Sequence, residues 1–460
     1  MRGRPAPPSA PAPIPGPLSA PALVPALPPP PGHAAMSEAR PQAGTASPVP
    51  SSAAGDPSRP VAADPLPLAQ ALIRCRSYAA PDGTPEDAGA LAVLEAALAP
   101  LGFRCERVRF GATENLWARR DPPAGAGNRG PHLCFAGHTD VVPPGDLAAW
   151  RHDPFGAEVR DGVLYGRGAV DMKGGVAAWV AAVAGLLAEQ PDLPGTLSLL
   201  ITGDEEGPAL DGTVKVLEWL AERGGIPDLC LVGEPTSRVR LGDIVKVGRR
   251  GSLNAVLTVH GKQGHVAYPQ RADNPVHRLL RVLHGLTATP LDAGNDWFEP
   301  SSLQVTSIDV GNPSTNVIPA TAQARLNIRF NDGHTGAGLA GMLRRALEAE
   351  GEGHGLEVKI SGEAFLTEPG PFVEALRRAV RRATGEETAL DTGGGTSDAR
   401  FIARYCPVAE LGSVGSTMHQ VDERVPVAEL RGLAALYRAV IDEVMGTGHG
   451  SMGPGAGTRA

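Results

Sequence analysis

The chain reads as an α/β protein, with a mostly parallel or mixed sheet flanked by helices. It carries an inserted ferredoxin-like β-α-β-β-α-β unit. Three observations predict this. Short, continuously apolar runs alternate with longer helical segments, the pattern of strands buried on both faces of a sheet. Near Gly251 the runs become half-polar and alternating, as in an antiparallel sheet with one covered face. Beyond residue 363 the first pattern returns, so the second unit is an insertion.

Taken in order, "PLAQALIRC" and "DAGALAVLEAALAPLG" have helical periodicity, and Gly102 stops the second. "HLCFAG" is a strand, "GGVAAWVAAVAGLLAEQ" a helix, and "TLSLLI", "DLCLVG" and "CPVAELG" are strands. In the insertion, "SLNAVLTV" is a strand. "NPVHRLLRVLHGL" is a helix with Asn274 as cap and Pro275 at its first position. "SLQVTSIDV" and "AQARLNIRF" are strands, "TGAGLAGMLRRALEAE" a helix and "LEVKIS" a strand, which completes the β-α-β-β-α-β order. The boundaries expected are 62–250 and 364–446 for the catalytic domain and 251–363 for the insertion, a natural lid or dimerisation element. Residues 1–61 are Pro/Ala-rich and 447–460 Gly-rich, compositions that cannot bury enough surface to fold. Prolines interrupt every apolar run after Arg2 and Arg4, which argues against a signal peptide. Both Met1 and Met36 are candidate starts.

Composition narrows the function classes. The net charge of −8 with interspersed signs gives no basic footprint for nucleic acid or a membrane surface. The five cysteines form no CxxC pair, so neither a zinc ribbon nor a disulfide framework is indicated, and a reducing cytoplasm fits. No apolar run reaches the roughly 18 residues of a membrane helix.

Chemistry gathers at the strand ends. His138 and Asp140 follow the first strand in "GHTDVVP". Asp171 stands in the Gly-rich turn "GRGAVDMKGG", Glu205 and Glu206 in "TGDEEG", Glu234 in "VGEPT" and His419 in "MHQVDE". Singly, each reads as a helix cap or a solvated charge. Together they would crowd one cleft at the carboxyl edge of the sheet, where repulsion is relieved only by cations. Imidazole plus carboxylate without thiolate suits zinc. Five ligands exceed one catalytic site and fit two metals that share a carboxylate. Asp140, two residues beyond His138, is placed to accept its second ring N–H, or else to make an Asx-turn. Adjacent Glu205 and Glu206 point apart, so one can ligate while the other remains a free base.

These motifs, with "GRRGSL", "GKQGHVAYP", "TNVIP" and "GGTSDARF", closely resemble the dinuclear zinc aminoacylase and carboxypeptidase family, and within it the desuccinylase branch. The likeness runs from about residue 65 to about residue 445. It implies that Asp171 bridges two Zn2+, with Co2+ or Mn2+ as alternatives. His138 and Glu234 complete one site, and Glu206 and His419 the other. Glu205 is the implied base and Asp140 the orienting acid. His265 is implied to stabilise the oxyanion in a neighbouring subunit's site, in a homodimer formed through the lid. Arg249, Ser252, Tyr268, Asn316, Arg329 and Thr396 fall where relatives bind substrate. The implied reaction is hydrolysis of N-succinyl-LL-2,6-diaminopimelate to succinate and LL-2,6-diaminopimelate, in lysine and diaminopimelate biosynthesis. Rival readings are an acetylornithine deacetylase-like enzyme, a metallocarboxypeptidase, and a non-catalytic binding protein on this fold. A pocket arginine for the extra succinyl carboxylate separates the first rival, and an intact Glu205 argues against the last.

Overall fold

A computed structural model describes residues 63–78, 88–123 and 130–446. The expected terminal segments, 1–61 and 447–460, lie outside these. The large sheet has eight strands, in the order Arg104–Phe110, Thr113–Arg120, Thr196–Thr202, His132–His138, Leu229–Val232, Val408–Glu410, Ile244–Lys246, Ala389–Asp391. Its centre is parallel and its Arg104–Phe110 edge antiparallel, so the sheet is mixed.

Each central strand sends alternate side chains to opposite faces. Leu133, Phe135, Leu197, Leu199 and Ile201 pack with the helices Leu66–Arg74, Ala90–Leu98, Lys173–Glu189, Pro371–Thr384 and Val427–Met445. Cys134, Ala136, Leu200, Cys230 and Val232 pack on the other face with Thr213–Glu222 and Ala399–Ile402. Burial on both faces is why these strands are continuously apolar in sequence.

The segment from Gly251 to Gly362 forms its own four-stranded antiparallel sheet, ordered Ser302–Asp309, Thr321–Phe330, Gly251–His260, His354–Gly362. The helices Pro275–Thr287 and Gly336–Glu348 cover one face of it. Numbered in chain order, its strands lie 2-3-1-4, the ferredoxin-like arrangement. Asn274 accepts the Val276 N–H at 3.0 Å and Pro275 opens the helix, as the sequence predicts. Ala322, Ala324, Leu326, Ile328 and Phe330 all point into the core of this sheet. Among the described residues no helix is long and apolar enough to cross a membrane.

The main core is anchored by an aromatic trio. Trp179 stacks on Phe135 with ring centroids 4.7 Å apart, and Tyr437 meets both edge-on. The Tyr437 hydroxyl donates to the Leu411 carbonyl at 2.9 Å, whereas the buried Trp179 Nε1–H has no acceptor among the described residues. Trp179→Ala should cost about 3–5 kcal/mol in chemical denaturation, the range for emptying a buried aromatic site. Trp179→Phe should cost clearly less, because it keeps the stacking and deletes a donor that bonds nothing. Equal losses for the two variants would contradict this packing account.

Candidate metal and active site

Three adjacent parallel strands, Thr196–Thr202, His132–His138 and Leu229–Val232, end at one edge of the sheet. They deliver Glu205 and Glu206, His138, and Glu234 to the same place. Asp171 reaches it from the turn before Lys173–Glu189. That helix must approach closely: a Cβ on Gly175 would lie 2.9 Å from the Gly233 carbonyl, beside Glu234. The glycine pair in "DMKGG" permits this approach. His419 arrives on the loop after Val408–Glu410, with φ at 60°, a left-handed conformation rare for a residue with a side chain.

Asp171 is the centre of the arrangement. Its Oδ1 lies 3.2 Å from His138 Nε2 and its Oδ2 lies 3.1 Å from His419 Nε2. Glu234 Oε1 is 3.8 Å from His138 Nε2, and Glu206 Oε1 is 2.9 Å from His419 Nε2. One carboxylate thus faces two imidazoles on opposite oxygens, and each imidazole has a further glutamate. His138, Glu205 and Glu234 can bring ligand atoms within 4.8 Å of one another, as can His138, Asp171 and Glu206.

The electrostatics have one sign. Burial alone would lower the His138 pKa, but its hydrogen bond to Asp171 and the charges of Asp140, Asp171 and Glu205 raise it well above the usual value. The hydrogen bonds to Asp171 and Glu206 push His419 up to about 10. Burial, then the neighbouring charge of Asp171, holds Glu234 well above the ordinary carboxylate range. Burial, then the charges of Glu234 and Asp398, does the same for Glu205. These side chains demand positive charge at two points, and His and carboxylate donors are the set that divalent cations such as Zn2+ accept. The residues therefore fit metal ions.

Asp140 differs from the sequence expectation. The His138 Nδ1–H donates to Asp140's own backbone carbonyl at 2.8 Å, while the carboxylate Oδ1 stands 3.6 Å away. A backbone acceptor two residues on is sterically closer than a side chain. It fixes the ring so that Nε2 turns toward Asp171. The Asp140 carboxylate instead reaches across strands, its Oδ2 accepting the backbone N–H groups of Glu205 and Glu206 at 3.0 and 2.9 Å. It holds the acidic loop itself. Glu205 is half-buried, and its carboxylate makes no hydrogen bond or ion pair among the described residues.

The other expected residues fall into two groups. His265 is exposed on a short strand paired with Val317–Ile318. On its own chain its Nδ1 accepts the Ala267 N–H at 3.1 Å and its ring meets Tyr268 at 5.7 Å. Neither contact reaches the Asp171 cluster. Tyr268 is exposed with Arg271 over its ring, Asn316 is exposed beside this strand pair, and Thr396 is half-buried in the Gly-rich loop. Arg249 and Ser252 are buried at the crossover between the two sheets. Arg329 lies opposite Ser252 in register and is half-buried. Burial, then the charge of Arg250, lowers the Arg329 pKa.

Arg249 is not the open fork that substrate binding suggests. Its Nε donates to both oxygens of Glu410, at 2.9 and 3.0 Å, its Nη2 also bonds Glu410, and its Nη1 donates to the Gly395 carbonyl at 3.1 Å. Glu410 also accepts from Ser397 Oγ at 2.6 Å. Sequence reasoning missed Glu410, Asp398 and Glu423. All three are buried acids that stand in quoted segments, Glu410 in "CPVAELG", Asp398 in "GGTSDARF" and Glu423 in "MHQVDE". An acid inside an apolar strand such as "PVAELG" is the signal that could have found Glu410.

Comparison with known proteins agrees with this architecture. A family model described as peptidase family M20/M25/M40 matches residues 134–443. A protein of Gluconacetobacter diazotrophicus named succinyl-diaminopimelate desuccinylase is 59% identical over 391 residues, covering 84% of this chain and 98% of its own length. The protein of that name from Acidiphilium cryptum is 59% identical over 382 residues, covering 83% and 99%. A metallo-carboxypeptidase of this family from Sulfolobus solfataricus superposes with a TM-score of 0.68 at 16% identity, covering 83% of this chain and 99% of that one. A dinuclear metal-binding peptidase of the family from Bacillus subtilis gives 0.62 at 16% identity, covering 83% and 97%. Those two likenesses speak for the fold. With the family model spanning most of the folded chain and relatives this similar end to end, the chain belongs to peptidase family M20/M25/M40, on the same branch as the succinyl-diaminopimelate desuccinylases.

Proposed function

We propose that the chain hydrolyses the amide bond of N-succinyl-LL-2,6-diaminopimelate, releasing succinate and LL-2,6-diaminopimelate, with two divalent cations held across Asp171. Relatives of that name, 54–59% identical, support the substrate. The observation that carries the chemistry is Asp171 facing His138 and His419 on opposite oxygens, beside an unengaged Glu205. In this reading His138, Asp171 and Glu234 hold one cation, and Asp171, Glu206 and His419 the other. Zn2+ suits the donors, and Co2+ or Mn2+ can replace it. When bound, such ions supply Lewis-acid polarisation of a carbonyl and a lowered pKa for water.

The chain's own residues do the rest. Glu205 takes a proton from the attacking water as the new C–O bond forms. It then delivers that proton to the amine nitrogen as the C–N bond breaks. Asp140 fixes the backbone on which Glu205 and Glu206 stand. His265 donates to the developing oxyanion of a neighbouring subunit, in a homodimer through the 251–363 lid. Its exposure and local contacts support a role outside its own cluster, and Ser302–Asp309 offers a free sheet edge for pairing. Ser252, Tyr268, Asn316, Arg329 and Thr396 contact substrate. A substrate carboxylate beside Arg329 and Arg250 relieves their mutual repulsion. Arg249 contributes charge from behind, since Glu410 occupies its fork.

Turnover of N-succinyl-diaminopimelate and acetylornithine by zinc-loaded protein tests the assignment. The succinyl compound should be strongly preferred, and equal or reversed preference would overturn it. Glu205→Gln should lower kcat by about 10²–10⁴ or more, the span for a lost general base, with metal content unchanged. Activity near that of the parent protein would remove Glu205 from this role. Mixing inactive Glu205→Ala and His265→Ala proteins under subunit exchange should restore activity, because one site of a mixed dimer takes Glu205 from one chain and His265 from the other. No recovery despite proven exchange would show that His265 does not act in trans.

A further inference from the structure

We infer that Glu423 is the positioning residue that sets the bridging carboxylate, so that both cation sites depend on it together. The inference rests on the two-cation reading above. Glu423 is wholly buried, four residues beyond His419, and touches no member of the proposed ligand set through that member's side chain. Its Oε1 accepts the backbone N–H groups of Val170 and Asp171, at 2.9 and 3.2 Å. Its Oε2 accepts from Arg167 Nη1 at 2.7 Å, and its carbonyl accepts the Gly166 N–H at 2.9 Å. The whole "GRGAVD" turn is therefore fastened to Glu423 at both ends.

The same group ties this turn to the His419 loop. Arg167 Nη1 also donates to the Gln420 carbonyl at 3.3 Å, and its guanidinium lies over the Trp150 ring at 5.1 Å. Thr417 Oγ donates to the Arg424 carbonyl at 2.9 Å, which closes the loop that carries His419. Neighbouring Asp422 is occupied elsewhere, with Arg151. Among the described residues the Asp171 backbone N–H has no other hydrogen bond, so the direction in which its carboxylate leaves the chain is set by Glu423. Displacing the backbone at Asp171 moves both of its oxygens at once. A ligand on one side, such as His419, has no such double reach.

Titration of metal-stripped protein with Co2+, followed by its visible absorption and by equilibrium dialysis, tests this. Two paired variants avoid leaving a buried arginine without its counter-charge. Arg167→Met/Glu423→Leu removes the charge pair and the acceptor. Arg167→Met/Glu423→Gln removes the charges but keeps an oxygen for the two N–H groups. The first should weaken both Co2+ steps in parallel by about 10–100-fold, the usual effect of losing a residue that orients a ligand. The second should remain near the parent protein, and His419→Ala should weaken one step alone. The inference is overturned if the leucine pair binds Co2+ normally, if it loses one step only, or if the glutamine pair is as weak as the leucine pair. A parent protein that takes up a single Co2+ overturns the two-cation reading, and this inference with it.

Discussion

Two imidazoles facing opposite oxygens of one buried carboxylate impose the constraint around which the rest is arranged. His138 and His419 converge on Asp171, and Glu206 and Glu234 stand behind them. So many acids at one sheet edge repel each other, and burial makes each charge costlier. The arrangement persists because parallel strands deliver three of the groups at fixed spacing. The glycine pair at 174–175 then lets a helix bring the fourth into contact. Divalent cations turn that repulsion into attraction, which is the physical link between the fold and the chemistry proposed for it.

Supporting groups are buried acids, two of which hold backbone and one of which holds side chains. Asp140 fixes the Glu205–Glu206 peptides, Glu423 fixes the turn of Asp171, and Glu410 binds Arg249 and Ser397 at the crossover between the sheets. Backbone N–H groups are rigid donors, so anchoring them defines where the neighbouring side chains emerge. Glu205 is the exception: among the described residues its carboxylate has no hydrogen-bond or ion-pair partner, as the proposed proton exchange requires.

Much of this was legible in the chain. Continuously apolar runs mark strands buried on both faces, and the acids and histidines directly after them mark the carboxyl edge. The alternation in "AQARLNIRF" marks a sheet with one covered face. What stayed hidden depends on tertiary neighbours. The edge strand Arg104–Phe110 carries mixed polar residues because it is half-solvated, and its neighbour Thr113–Arg120, paired on both sides, mixes polar with buried apolar residues. Asp140 reads as a partner for His138 by spacing, yet its carboxylate points across to another strand. Arg249 reads as a free cation in "GRRG", yet its acceptor Glu410 is 161 residues away. No local pattern encodes such pairs.

The central claim is that Asp171 lies between two cations. Anomalous X-ray diffraction from zinc-loaded crystals tests it most directly. The account predicts two peaks flanking Asp171, one within ligand distance of His138 and Glu234 and the other of Glu206 and His419. A single peak, or a pair that does not share Asp171, would contradict it.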